Sequence, residues 1–126
     1  MFSHVMVGSN DIERSRKFYD ATLGALGAKP AVENNGRLVY MHGGGLFLVT
    51  TPINGDPACH ANGGTIGFAA DSPEAADGWH AAGVAAGGQS CEDPPGVREG
   101  GFGKLYLAYL RDPDGNKLCG LYRVPA

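Results

Sequence analysis

The side chains able to coordinate a metal, move a proton or attack an electrophile are few. They include four histidines (His4, His42, His60, His80) and three cysteines (Cys59, Cys91, Cys119), with no CxxC or CxxH spacing among them. Such a set makes neither a structural zinc site nor a disulfide framework, and an odd number of thiols fits a reducing compartment, so a cytoplasmic location is expected. His80 falls on a helical segment beside Trp79, His42 in a tight turn and His60 in a linker next to Cys59, all positions of ordinary surface histidines. Cys119 becomes a nucleophile only with His4 within hydrogen-bond reach to lower its pKa; otherwise a cysteine in a strand behaves as a small apolar residue. Arg98 and Glu99 stand in a Gly-rich segment, 96–103, that reads either as a mobile flap meeting an anionic substrate or as solvated surface.

The elements that must position these groups follow from composition and pattern. A chain of 126 residues, 43% hydrophobic and 18% charged, has the balance of one globular domain. A net charge of -3 without any run of like charge argues against nucleic acid as a partner, and no apolar run approaches the roughly 20 residues that span a bilayer. The 21 glycines, without a collagen-like period, predict short strands and many tight turns. Ser3 to Val7 reads as a strand, and Asn10 with Glu13 has the spacing of a capping box. The stripe Ile12, Ser15, Phe18, Tyr19, Leu23 and Leu26 predicts a helix over 11–25, closed by Gly27. Strands are predicted at Lys29–Glu33, Gly36–Met41 and Leu46–Thr50.

The pattern then restarts. Thr65 to Ala70 reads as a strand, Asp71-Ser72-Pro73-Glu74 as a cap, and an Ala-rich helix runs to Gly87-Gly88. A constant offset of 61 places His4 on Thr65, Asn10 on Asp71, Glu13 on Glu74, Phe18 on Trp79 and Gly27 on Gly88 without a gap. Strands at Leu105–Arg111 and Lys117–Tyr122, joined by Asp112-Pro113-Asp114-Gly115, complete the second unit, with a further strand expected within 90–103. The predicted fold class is α+β: two tandem βαβββ modules, 1–51 and 63–126, joined by a linker at 52–62. Their mixed or antiparallel sheets curl around a cup, with the helices outside. Each four-stranded sheet has a face its own helix does not cover, so a cavity or a second copy is expected there, and a homodimer with it.

Paired βαβββ modules, the opening Ser3-His4-Val5, the Ser-Arg-Lys-Phe-Tyr segment at 15–19 and Arg111-Asp112-Pro113-Asp114-Gly115-Asn116-Lys117 before the last strand together resemble the vicinal oxygen chelate superfamily. This is the group of glyoxalases, bleomycin-resistance proteins and extradiol dioxygenases. The resemblance implies that catalytic members hold a divalent metal in the cup by His and Glu residues from first and last strands, leaving an open position for vicinal oxygens of the substrate. Carried over one position at a time, the ligands fall on His4, Phe47, Thr65 and Cys119, of which only His4 keeps the ligand type. With alternating side chains, the implied cup lining is His4 and Met6, Phe47 and Val49, Thr65 and Gly67, and Cys119 and Leu121. About three protein ligands are needed, so no cofactor is expected, and any divalent metal would rest on His4. The expected function is enclosure of a small aromatic or oxygenated molecule. The alternatives are a metal-dependent glyoxalase-like lyase, isomerase or dioxygenase acting on a vicinal-oxygen substrate, and a domain whose cup serves only as a dimer core.

Overall fold

A computed structural model describes all 126 residues, and the two predicted helices each follow the first strand of their half. Helix α1 (Ile12–Ala25) begins at Asp11, whose extended backbone lets its carboxylate accept from Arg14 N–H at 3.1 Å. Asn10 is therefore not the cap. Its carboxamide instead brackets Ala58, accepting from Ala58 N–H at 2.7 Å and donating to Ala58 O at 3.1 Å, which pins the inter-module segment to the start of the helix. Helix α2 (Pro73–Ala85) is capped by Ser72, with Pro73 in the first turn. Both helices end in a turn closed by a hydrogen bond from the residue after the left-handed glycine, Ala28 N–H to Leu23 O and Gly88 N–H to Gly83 O, with Gly27 (φ +97) and Gly87 (φ +99) at the left-handed position. These glycines are 60 residues apart rather than 61, because α1 has 14 residues and α2 has 13. The gapless repeat thus holds through the caps and slips by one before the helix ends, so Gly87, not Gly88, is the partner of Gly27.

The first sheet comprises β1 (Val5–Gly8), β2 (Val32–Asn34), β3 (Arg37–His42) and β4 (Gly45–Thr50) in the order β1-β4-β3-β2, with β1 parallel to β4 and the other pairs antiparallel. The second comprises β5 (Ile66–Ala69), β6 (Gln89–Ser90), β7 (Gly96–Gly100), β8 (Gly103–Arg111) and β9 (Lys117–Arg123). It repeats the topology, β5 parallel to β9, except that β6 and β7 both pair with β8. The single strand expected within 90–103 is broken because the chain leaves the ladder at 92–95, with Glu92 at φ +57. Arg98 holds this excursion in place: its guanidinium donates to the carbonyls of Asp93, Pro94 and Gly96 at 2.9–3.0 Å. The mobile-flap reading of 96–103 is corrected accordingly, since β7 is laddered to β8 and Arg98 is committed to backbone.

Each helix covers one face of its own sheet. Phe18, Tyr19 and Leu23 of α1 join Val7, Leu38, Tyr40, Phe47 and Val49 in the core, and Trp79 of α2, fully buried, lies against Gly120 beside Ala108, Leu110 and Leu118. The two helices also pack on each other. A Cβ at Gly83 would collide with Leu110 and crowd Thr22, and one at Gly88 would strike Phe18 and sit 2.9 Å from the carbonyl oxygens of Gly83 and Arg111. Glycine at these two positions is what lets one half seat against the other.

A second junction lies at the N-terminus of α1, where the Asp112–Asn116 turn docks. Buried Asp112 accepts from the Tyr19 hydroxyl at 2.5 Å, from the backbone N–H groups of Asp114 and Asn116 at 2.9 Å, and from the Asn116 carboxamide at 2.8 Å. Asp114 accepts from Arg14 at 2.7 Å, from Asn10 N–H at 2.9 Å and from Ser15 at 3.3 Å. The turn that reads locally as a hairpin connection is thus the polar latch between modules. No helix is long and apolar enough to cross a membrane.

Candidate functional site

Side-chain alternation decides which residues face the helices and which face away. In β9, Leu118 and Gly120 lie on the helix side, against the core and Trp79, so Cys119 and Leu121 lie on the other. Thr65 and Gly67 fall on that same helix-free face, since Ile66 and Phe68 pack toward the core. In β1, Val5 and Val7 pack toward α1, leaving Met6, 40% exposed, and His4 on the helix-free side. Six of the eight residues expected to line the cup therefore share one face.

Phe47 and Val49 do not. Both belong to the buried core under α1, where the Phe47 ring lies 4.9 Å from the Tyr19 ring and 5.2 Å from that of Phe68. The registers show why. Cys119 pairs with Gly67, whose counterpart in the first module is Met6, and Met6 pairs with Leu48. The position matching Cys119 is Leu48; placing it at Phe47 is a slip of one residue, which turns a side chain to the opposite face.

The four positions that hold a metal in catalytic relatives of the resembled family thus carry His4, Leu48, Thr65 and Cys119. Their donor set is one imidazole, one hydroxyl, one thiol and one hydrocarbon, with no carboxylate, and no three His, Cys, Asp or Glu side chains cluster anywhere in the chain. These residues do not fit a divalent ion, which needs about three protein ligands and anionic charge to offset its desolvation. His4 is exposed and shares a 2.8 Å hydrogen bond with Ser3. Cys119, 6% exposed, instead faces Tyr109 on the paired strand. Burial raises the Cys119 thiol above its ordinary value, outweighing the hydrogen bond with Tyr109 that lowers it, while burial and the nearby Cys119 raise the Tyr109 phenol. A protonated thiol beside a phenol is a polar contact rather than a nucleophile.

Around this pair, Lys117 is ion-paired with Glu92 and stands 5.2 Å from the centre of the Tyr109 ring, so the two charges nearest the thiol neutralise each other. A Cβ built on Gly67, beside Cys119, meets nothing within 4 Å, which marks open space on this face. A hollow of about 290 Å³ brings Met6 and Thr65 together with Cys59, Asn116 and Lys117 at the seam between β1 and β5. Tyr109, Lys117 and Glu92 were not singled out by sequence reasoning. Tyr109 and Lys117 were in principle accessible from the period-2 pattern of their strands, whereas Glu92 depended on the broken strand.

His42, His60 and His80 stay outside this face or at its margin. His42 ends β3, His60 lies against Gly115, and His80 shares a 2.9 Å hydrogen bond with Ser90, burial lowering its pKa from the ordinary value.

Comparison with known proteins agrees with this fold. The family model described as "Glyoxalase/Bleomycin resistance protein/Dioxygenase superfamily" matches residues 1–119. A crystal structure of a glyoxalase/bleomycin resistance protein from Albidiferax ferrireducens T118 is 65% identical, covering 98% of this chain and 99% of that one, with a TM-score of 0.96. More distant structures share the fold. One is a glyoxalase-related enzyme from Fulvimarina pelagi, at 19% identity, TM-score 0.73 and coverage of 98% and 88%. Another is a glyoxalase/bleomycin resistance protein/dioxygenase family enzyme from Burkholderia phytofirmans PsJN, at 18% identity, TM-score 0.70 and coverage of 94% and 95%. A search of curated proteins finds no significant match.

Proposed function

The chain belongs to the glyoxalase/bleomycin resistance protein/dioxygenase superfamily, and from that premise we propose that it is a binding member. It encloses a small, uncharged aromatic or oxygenated molecule against the helix-free face without a metal ion. The observation that carries this reading is the donor set: His4, Leu48, Thr65 and Cys119 stand where a catalytic relative needs three or more ligands. Leu107 and Leu121 supply apolar wall, Tyr109 supplies a ring, and His4, Thr65 and the Tyr109–Cys119 pair supply the hydrogen bonds that orient an oxygenated ligand. Because Lys117 is already paired with Glu92, the face favours a neutral molecule over an anion.

Protein purified without chelator is expected to contain less than about a tenth of an equivalent of zinc, nickel, manganese or iron, and to bind a neutral probe such as 1-naphthol. Gly67→Phe, whose side chain enters the open space beside Cys119, is expected to weaken that binding at least tenfold without unfolding the protein, since overpacking needs a neighbour to clash with. Near one equivalent of metal, lost on His4→Ala, overturns this reading in favour of the metal-dependent lyase.

A single chain leaves Met6 and Met41, the latter 69% exposed, on a sheet face that no helix covers. We propose that a second copy closes that face and completes the cup, as a homodimer. Sedimentation at tens of micromolar is expected to show twice the chain mass, and Met6→Asp to shift it toward the monomer; a wild-type monomer at that concentration counts against the enclosed cup. The three unpaired thiols are consistent with a cytoplasmic location.

A further inference from the structure

A cavity of about 460 Å³ lies away from the helix-free face. It lies in the layer between helices and sheets, where the end of α1, the β3–β4 turn and β5 meet, walled by Val5, Leu23, Leu26, Phe47, Ile66 and Phe68. Its origin is an asymmetry between the modules in the connection between their last two strands. In the second half the β8–β9 connection spans Asp112–Asn116, and its Pro113 packs at Gly87 while Asp114 reaches the backbone N–H of Asn10. In the first half the matching connection is only Gly43-Gly44, both at positive φ, a two-residue hairpin turn. His42 alone lies over Gly27, and nothing reaches Asp71, the counterpart of Asn10.

We propose that this cavity is a second ligand site, for a small primary amine carried on an aromatic or branched apolar body. The volume falls in the range of small-molecule pockets, and both modules contribute apolar wall. The polar groups decide the ligand's charge. Tyr40 is engaged, its hydroxyl donating to Asp20 at 2.7 Å. Asp71 lines the cavity with its carboxylate in no hydrogen bond or ion pair, no Lys or Arg lines it, and apart from Tyr40 the other ionisable side chain present is the His42 imidazole. An ammonium group therefore finds an unpaired acceptor, and a carboxylate finds only repulsion at that end.

Three probes of one skeleton test this: 2-phenylethylamine, 2-phenylethanol and phenylacetate, titrated against the whole ¹⁵N-labelled protein. The amine is expected to shift the amide signals of Leu26, Ala28, Gly43 and Gly45, and to bind at least threefold more tightly than the alcohol, with the carboxylate weakest. Asp71→Asn, an exposed substitution, is expected to erase the amine's advantage while leaving the alcohol unchanged, and Ala28→Phe to weaken all three; should Ala28→Phe fail to fold, the Asp71→Asn comparison decides. An equal or weaker affinity for the amine, a preference for the carboxylate, or shifts confined to Lys117, Cys119 and Leu121 overturns the proposal. Those last three residues report on the helix-free face, so failure here is distinguishable from failure of the binding function proposed for that face.

Discussion

Asp112→Ala is expected to lower the thermal unfolding midpoint by roughly 10–20 °C, more than any single substitution on the helix-free face. Removing the carboxylate takes the acceptor from four donors at once, and the Tyr19 hydroxyl among them is fully buried and finds no water. Each orphaned buried donor costs about 1–3 kcal/mol, so a total of about 3–5 kcal/mol is a large share of the 5–15 kcal/mol typical of a domain. At this chain length each kcal/mol moves the midpoint by roughly 3–5 °C. Tyr19→Phe removes one donor and its need together, and is expected to cost only about 1 kcal/mol. The two variants also differ at high pH. Burial first, and Asp112 second, hold the Tyr19 hydroxyl well above its ordinary value of 10.0. The folded state thus keeps a proton that the unfolded chain releases above about pH 10, so wild-type stability falls as pH rises through that region. Tyr19→Phe flattens part of this alkaline loss. Calorimetry between pH 7 and 11 checks both; a midpoint for Asp112→Ala within about 3 °C of wild type would mean that the turn does not latch the modules.

That latch also marks a limit of what the residues disclose. Asp112-Pro113-Asp114-Gly115 is legible as a turn because its chemistry is local. Its partners, Tyr19, Asn10 and Arg14, lie about a hundred residues earlier, and no periodicity connects them. The helices were legible for the complementary reason: a stripe at 3.6-residue spacing and a cap fix them without distant help, although Asp11 rather than Asn10 takes the cap. The packing of α1 on α2 was hidden, since Gly83 and Gly88 look like interrupters of a weakly amphipathic Ala-rich helix and matter only because Phe18 and Leu110 approach them.

Which face each strand turns away from the helices was legible on three of the four strands, six residues of eight, and wrong by one residue on the fourth. Leu46-Phe47-Leu48-Val49 is apolar without a break, so alternation along β4 carries no information about which face is which. In β9 and β5, and just ahead of β1 and β5, the same question is settled by Cys119, Gly67, His4 and Thr65, whose polarity or size breaks the run. The distinction is testable, because it decides where a missing carboxylate has to be put back.

Leu48→Glu with Thr65→His and Cys119→Glu is expected to create micromolar affinity for zinc or nickel alongside His4. Four positions on one face would then supply two imidazoles and two carboxylates, with charge enough to offset the ion's desolvation. Without metal the triple variant is expected to be less stable than wild type, since Cys119 is buried and a carboxylate in its place, beside Tyr109, finds its neighbouring cation, Lys117, already paired with Glu92. With metal at a hundred times its dissociation constant, binding to the folded state alone returns about 2.7 kcal/mol, so added zinc should raise the midpoint of the variant by roughly 8–13 °C and leave wild type unmoved. The control moves the carboxylate by one residue. Phe47→Glu with the same two partners puts the charge under α1, against Tyr19 and Phe68, where it is expected to unfold the first module and give no metal-dependent rise. Equal metal affinity in the two triple variants would show that β4 does not present Leu48 to the helix-free face, and with it would fall the assignment of the donor set on which the metal-free reading rests.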